Sequence, residues 1–439
     1  MDSALPLSFD DALRLYESPD IFTLGEMANA LRERLHGRQA FYNVNRHINY
    51  SNYCVLRCKF CSFYRPYEKA TGNPGAAGTF NRQQATAIQA GGKRPEAGNE
   101  NHRLETGAPL EEHAGHEDGY EYSLDEIVAL AKDAYARGAT EVHIVGGLHP
   151  KLPFSFYAEM CSAIREACPR LHIKAFTAIE IIHFSRIAKP RLSIAEVLTR
   201  LREAGLGSMP GGGAEIFDDR VHDEAFKNKV GEAEWFEVHR TAHELGIFTN
   251  ATMLYGHVET PAERIRHLMK LRQHQEESLK SRRAHFNCVI PLSFIPDGSA
   301  LAHLPGPSGL TDLKTLAISR LVCHNIPHIK AFWIMQTPKL AQVALNWGVD
   351  DIDGTVVWYD ITKREGSGTT HQELTVDKLK RLIVEAGCIP TERDTLYRRV
   401  IRDDASWSVE GEPWRVAYEP RLDEIASTSL VTLEVGRSN

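Results

Sequence analysis

Asn49-Tyr-Ser-Asn-Tyr-Cys54-Val-Leu-Arg-Cys58-Lys-Phe-Cys61-Ser-Phe-Tyr-Arg65 places three cysteines in a C-x3-C-x2-C run, with Phe60 just before the third. Three thiolates within eight residues can grip one metal centre. Structural zinc sites want four ligands, grouped in distant pairs. Ferredoxin runs also bring four cysteines to each cluster. No fourth cysteine lies near: the others are Cys161, Cys168, Cys288, Cys323 and Cys388, none in a ligand-like pair. The spacing points to a 4Fe-4S cluster held by Cys54, Cys58 and Cys61, with one iron open to a small molecule. Part of a zinc site, or three incidental cysteines, is the competing reading.

The segment leading into this run, Tyr42 to Tyr50, alternates with period two. One face reads Asn43, Asn45, His47, Asn49 and the other Val44, Arg46, Ile48, Tyr50. A strand with so polar a face either meets solvent or lines a wet active site. Because the cysteine loop leaves its C-terminal end, the active-site reading is adopted, with Asn45 and His47 as candidate substrate-binding groups. Downstream, helical spacing and short apolar runs alternate. The runs are 142–145, 173–181, 208–216, 248–255, 285–294, 328–334 and 351–357. With the strand before the cluster these make eight strand candidates separated by helices. That pattern predicts parallel βα units closed into a (β/α)8 TIM-like barrel of the α/β class. The division expected is a helical N-terminal cap over 1–39, a barrel over 40–390, and a C-terminal extension over 391–439. The glycine-rich, aperiodic stretch 68–119 reads as an insertion after the cluster loop, either solvated or folded over the site. Its His113 and His116 read as solvated rather than as a second metal site.

Composition narrows the function. A net charge of -7 argues against nucleic acid or an anionic membrane as the main partner. The apolar runs are too short and too interrupted to span a bilayer. The N-terminus carries no charged-then-apolar leader, and eight cysteines in 439 residues do not form a disulfide framework. A reducing cytoplasm is the expected compartment.

Barrel logic places functional groups at the C-terminal ends of strands. Gly146-Gly147 follows the second strand candidate. This pair is either an ordinary βα turn or a place where backbone approaches a ligand closely. Glu180 ends the third, as a ligand-binding carboxylate or a helix-start charge. Pro210-Gly-Gly-Gly-Ala-Glu215 ends the fourth and lacks the Gly-Lys-Ser/Thr of a phosphate loop. Its three glycines make room for a bulky ligand. Gly256-His257-Val-Glu259 ends the fifth, where a surface-loop reading competes. Glu215 and His257 are the candidate catalytic residues. Glu259 and Arg65, a cation close behind the cluster run, join the candidate substrate-binding set.

The cysteine spacing resembles the radical S-adenosylmethionine (SAM) superfamily. The resemblance extends to Gly146-Gly-Leu-His-Pro150, Lys174–Ile181, Leu206–Phe217, Ala251–Thr260 and Asp351–Thr355, which together look like the aminofutalosine synthases of menaquinone biosynthesis. It covers roughly residues 40–65 and 120–400; the 68–119 insertion departs from the compact family pattern. The resemblance implies that the open iron chelates SAM, with Phe60, Gly146, Gly147 and Glu180 near that cofactor. It implies 3-[(1-carboxyvinyl)oxy]benzoate as substrate and SAM as a consumed co-substrate. An adenosyl radical would add to the enol-ether double bond, the aryl group would migrate, and one carboxylate would leave as carbon dioxide or bicarbonate. An electron donor such as flavodoxin or ferredoxin is implied as partner. The nearest rival is dehypoxanthine futalosine cyclase, which abstracts hydrogen; the deazaflavin-cofactor synthase subunit is more distant. An iron-sulfur electron carrier and a zinc-stabilised binding protein are the alternatives from other classes.

Overall fold

The computed structural model describes residues 6–67, 119–357, 359, 361, 373–403 and 406–411. The expected insertion, apart from Gly119, and the end of the tail lie outside the described residues.

Two helices come first, α1 (Phe9–Glu17) and α2 (Ile21–His36), divided at Ser18-Pro19-Asp20. Asp20 caps α2 by accepting from the Thr23 N–H. The first stave of the barrel is two short strands, β1 (Gln39–Asn43) and β2 (Asn45–Ile48), rather than one run to Tyr50. Then follow α3 (Leu124–Ala136), β3 (Glu141–Ile144), α4 (Phe154–Ala167), β4 (His172–Ala175), α5 (Ala178–Ile187), α6 (Ile194–Ala204) and β5 (Leu206–Ser208). The second half holds α7 (Asp219–Ala225), α8 (Glu232–Glu244), β6 (Thr249–Tyr255), α9 (Pro261–Ser281), β7 (Phe286–Ser293), α10 (Gly309–Val322), β8 (His328–Ile329), α11 (Trp333–Gln336), α12 (Pro338–Ala344) and β9 (Asp351–Gly354). After α13 (Val376–Glu385) come β10 (Ile389–Glu392), β11 (Arg399–Arg402) and β12 (Trp407–Glu410).

Register closes the barrel. β2, β3, β4 and β5 pair in parallel, as do β6, β7 and β8. Parallel bridges join Met209 to Thr249, Lys330 to Asp351 and Arg46 to Val357, and β1 pairs with β9. These contacts make one closed ring of staves. Its strands are almost wholly buried, as parallel strands sheathed by helices should be. β10 adds to the free side of β1, so the expected barrel end at 390 cuts through this strand.

Several expected strands are shorter than their apolar runs. The run at 173–181 stops pairing at Ala175, and Thr177 starts a helix. Glu180, three residues on, accepts from the Thr177 N–H and hydroxyl at 2.7 and 2.8 Å. Glu180 is therefore a capping residue in the first turn of α5, not a strand end. The run at 328–334 gives way to α11 after a short strand, and 208–216 becomes an irregular loop after Ser208.

Candidate active site

The cysteine loop crosses the C-terminal mouth of the barrel. Cys54 N–H donates to Arg65 O at 3.1 Å, Val55 N–H to Leu148 O at 3.0 Å and Lys59 N–H to Ala225 O at 2.9 Å. The loop is thus tied to its own far end, to the end of β3 and to α7. Glycine is required for this approach. A Cβ on Gly147 would lie 2.2 Å from the Tyr53 carbonyl oxygen, and one on Gly146 would lie 2.6 Å from the Tyr50 ring.

Below the loop is a chamber of about 220 Å³. Every stave reaches it, at alternate positions where the strand is regular. β2 contributes His47, β3 His143, β4 Lys174, β6 Asn250, Thr252 and Leu254, and β7 Ile290 and Leu292. The chain beyond β5 adds Pro210 to Gly213 and Glu215, that beyond β8 adds Lys330 and Phe332, and β9 supplies Asp353. Phe60, Cys61 and Ser62 close the cluster side. The upper wall is mostly apolar apart from Cys61 and Glu215, and the floor carries His47, His143, Lys174, Lys330 and Asp353.

All three loop cysteines are free thiols. Burial pushes the Cys58 thiol up to about 11, against the pull of Lys229. Among the described residues, the only group of three His, Cys, Asp or Glu donors within 4.8 Å of one another is His36, His328 and Asp350. The three sulfurs are therefore not gathered that tightly. One zinc ion with Zn–S near 2.3 Å holds its ligands within about 4.6 Å of each other. That leaves room for a cluster whose iron atoms each take one thiolate. The group at His36 has another account. Asp350 is ion-paired with the buried Arg320, lies 2.5 Å from His328 Nδ1, and accepts the Ile329 N–H at 2.9 Å. Its carboxylate is fully used by the protein at the base of the barrel.

Lys229 is the residue that sequence reading missed. Its ammonium pairs with Glu215 and sits 4.9 Å from the Phe60 ring centroid. Burial lowers its pKa, but Glu215 and Cys58 outweigh that and the net shift is upward. The lysine is a fixed positive charge behind the cysteines. It follows α7 in Phe226-Lys-Asn-Lys229, which looks in sequence like a solvated charge run.

Other expected residues sit away from the chamber wall. Asn45 is turned to β9: its side-chain oxygen accepts the Val356 N–H at 2.8 Å. Arg65 donates to the carbonyls of Ser62 and Tyr64, bracing its own loop. Glu180 is 1% exposed. It takes the Tyr50 hydroxyl at 2.8 Å and the Gly146 N–H at 3.2 Å besides Thr177. Burial pushes its carboxyl up to about 7, against those four hydrogen bonds. Glu259 receives the Gly256 and His257 N–H groups and Arg264 Nε at 2.6 Å. His257 lies buried between that carboxylate, 3.3 Å away, and Leu254 O, 3.0 Å away. Glu259 and His257 thus shape the loop after β6 and are not on a surface loop. Of the expected groups, His47, Phe60, Cys61, Gly211 to Gly213 and Glu215 line the chamber.

The radical SAM superfamily model matches residues 48–271, and a CofH/MqnC C-terminal region model matches 284–405. The chain belongs to the radical SAM superfamily. Members use a 4Fe-4S cluster and SAM. The chain is 42% identical to an aminodeoxyfutalosine synthase of Thermus thermophilus, covering 90% of this chain and 92% of that one. It is 36% identical to a 5-amino-6-(D-ribitylamino)uracil–L-tyrosine 4-hydroxyphenyl transferase of Methanosarcina acetivorans, covering 89% and 90%. The solved structure of methylornithine synthase has the same fold, with a TM-score of 0.62 at 16% identity over 88% of this chain and 94% of that one. This radical SAM enzyme is thus a TIM-type barrel, and no helix among its described residues is long and apolar enough to cross a membrane.

Proposed function

We propose that this enzyme joins the adenosyl part of SAM to 3-[(1-carboxyvinyl)oxy]benzoate, with aryl migration and loss of one carboxylate, as an aminodeoxyfutalosine synthase. The observation that carries the reading is the 42% identity to the Thermus enzyme over 90% of the chain. Such a span takes in both the cluster loop and the far wall of the chamber. The bound cluster supplies the electron that cleaves SAM. The chain's own residues do the rest. Glu215, braced by Lys229, and the Gly211–Gly213 turn present hydrogen-bonding groups and space for a nucleoside. Leu254, Ile290, Leu292, Phe294 and Phe332 offer an apolar wall to an aromatic ring and exclude water from it. Flavodoxin or ferredoxin in a reducing cytoplasm would serve as electron donor.

The test incubates anaerobically reconstituted, reduced enzyme with SAM and the enol ether. The expected product, by mass, is an adenosyl adduct lacking one carboxylate. Free 5'-deoxyadenosine as the only nucleoside product would overturn the reading in favour of a hydrogen-abstracting relative.

A further inference from the structure

The chamber floor is a layer set by strand register. His47, His143 and Lys174 are partners across β2, β3 and β4, so their side chains leave the sheet on one face at one level. Lys330 and Asp353 meet them from the β8–β9 side. His47 is the unusual member. It is 4% exposed, yet neither ring nitrogen has a hydrogen-bond partner among the described residues. Its ring packs 4.4 Å from that of His143 and 5.3 Å from that of Tyr359, measured between centroids. A buried imidazole left in this way is unfavourable until something bonds to it. Lys330 adds an ammonium with three donors, 3.3 Å from one oxygen of Asp353. Burial works against that ammonium, but Asp353 and Asp351 outweigh it and its pKa is raised. The other fixed charges cancel in pairs, Lys174 with Glu141 at 3.1 Å and Arg393 with Asp351 at 2.7 Å. The floor thus offers donor hydrogens rather than net charge.

We propose that His47 and Lys330 seat the ring carboxylate of the aryl enol ether on this floor, leaving its alkene toward Phe60 and Cys61. This rests on the function proposed above. The chamber's polarity runs the right way for such a substrate. The alkene must face the cluster side, the aromatic ring spans the apolar wall, and the carboxylate on the far side of the ring meets a floor with donors from His47, Lys174 and Lys330. An imidazole N–H and an ammonium give two charge-assisted bonds from different staves, which also fixes the ring's rotation.

The experiment measures dissociation constants by calorimetry on the reconstituted, unreduced enzyme. The ligands are 3-[(1-carboxyvinyl)oxy]benzoate and the same enol ether without the ring carboxylate. Wild type is expected to prefer the carboxylated ligand by about 10- to 100-fold. His47→Phe keeps a ring packed against His143 and removes both nitrogens. It should cut that preference at least fivefold and leave affinity for the ligand without the ring carboxylate unchanged, and His47→Gln should restore part of it. Lys330→Gln should act in the same direction. An unchanged preference in both variants, or an equal loss for both ligands, overturns the proposal. Adduct formation by the same wild-type preparation separates the two claims. Turnover with an unchanged preference removes only the floor assignment, whereas no adduct and no binding of either ligand removes the function and the floor together.

Discussion

Gly147→Ala probes how closely the end of β3 must approach the cysteine loop. The new Cβ would lie 2.2 Å from the Tyr53 carbonyl oxygen, 2.7 Å from its carbonyl carbon and 3.1 Å from Cys54 Cβ. Ordinary contact begins at 3.4 Å, so the backbone must give by about 1.2 Å, the difference between 3.4 and 2.2 Å. That backbone is pinned by the Gly147 N–H to Ser51 O bond at 2.8 Å and by the bonds at Cys54 and Val55. Overpacking of this kind costs about 1–3 kcal/mol. Each hydrogen bond lost adds about 0.5–1.5 kcal/mol. A total of about 2–4 kcal/mol is expected, and the displaced residue is Cys54, a proposed cluster ligand. The assay is iron and sulfide per chain after anaerobic reconstitution, with far-UV circular dichroism and a denaturant midpoint for the apoprotein. Cluster occupancy should fall below about half of wild type while secondary structure is kept. Gly146→Ala is the control. Its Cβ would strike the buried Tyr50 ring rather than the backbone of the cysteine loop, so it should cost stability but displace Cys54 less. A Gly147→Ala protein that fills with iron like wild type and unfolds at the same midpoint would refute this reasoning.

Replacing Cys54, Cys58 or Cys61 singly with alanine should abolish SAM cleavage while circular dichroism shows an intact barrel; turnover by any one of the three would contradict the ligand assignment. Lys229→Met leaves Glu215, 6% exposed, without its counter-ion. It should cost about 3–5 kcal/mol in urea unfolding, with Lys229→Met/Glu215→Gln recovering a substantial part, and additive losses would argue against the pairing. Stability should also fall in acid. Burial holds His36, His267 and His274 at about 3, and His47, His172 and His324 at about 4, against 6.5 for the free group. These rings are neutral when folded and take up protons on unfolding, so stability is full above about pH 6.5 and declines below it. At pH 5.5 each should cost about 1.4 kcal/mol. Urea midpoints that stay level between pH 7.5 and 5.5 would contradict this.

Much of the architecture was legible because the alternation of apolar runs with helical spacing is a local signal. The cysteine spacing is likewise local, and so was found at once. What was missed depends on contacts distant in sequence. The break of the first stave at Val44 follows from Asn45 bonding to the chain after β9, some three hundred residues away. The placement of Glu180 at a strand end failed differently. Thr177-x-x-Glu180 is a readable capping signature, but the apolar run before it was read as strand through to Ile181. Arg65, Glu259 and His257 carry polar groups at the mouth, as barrel logic expects. Backbone amides, carbonyls and Arg264 consume them first, and no pattern within a loop reveals that competition. His47 was found because period two put it on the polar face. Lys174 and Lys330 lay in strands whose inward face could not be chosen without the register.

The central claim is that Cys54, Cys58 and Cys61 hold a cluster with one iron open to SAM. Electron paramagnetic resonance of the reduced, reconstituted protein, recorded without and with SAM, tests it most directly. The account predicts about four irons and four sulfides per chain, and a reduced-cluster signal that changes when SAM is added. Zinc in place of iron, or a cluster signal indifferent to SAM, would contradict it.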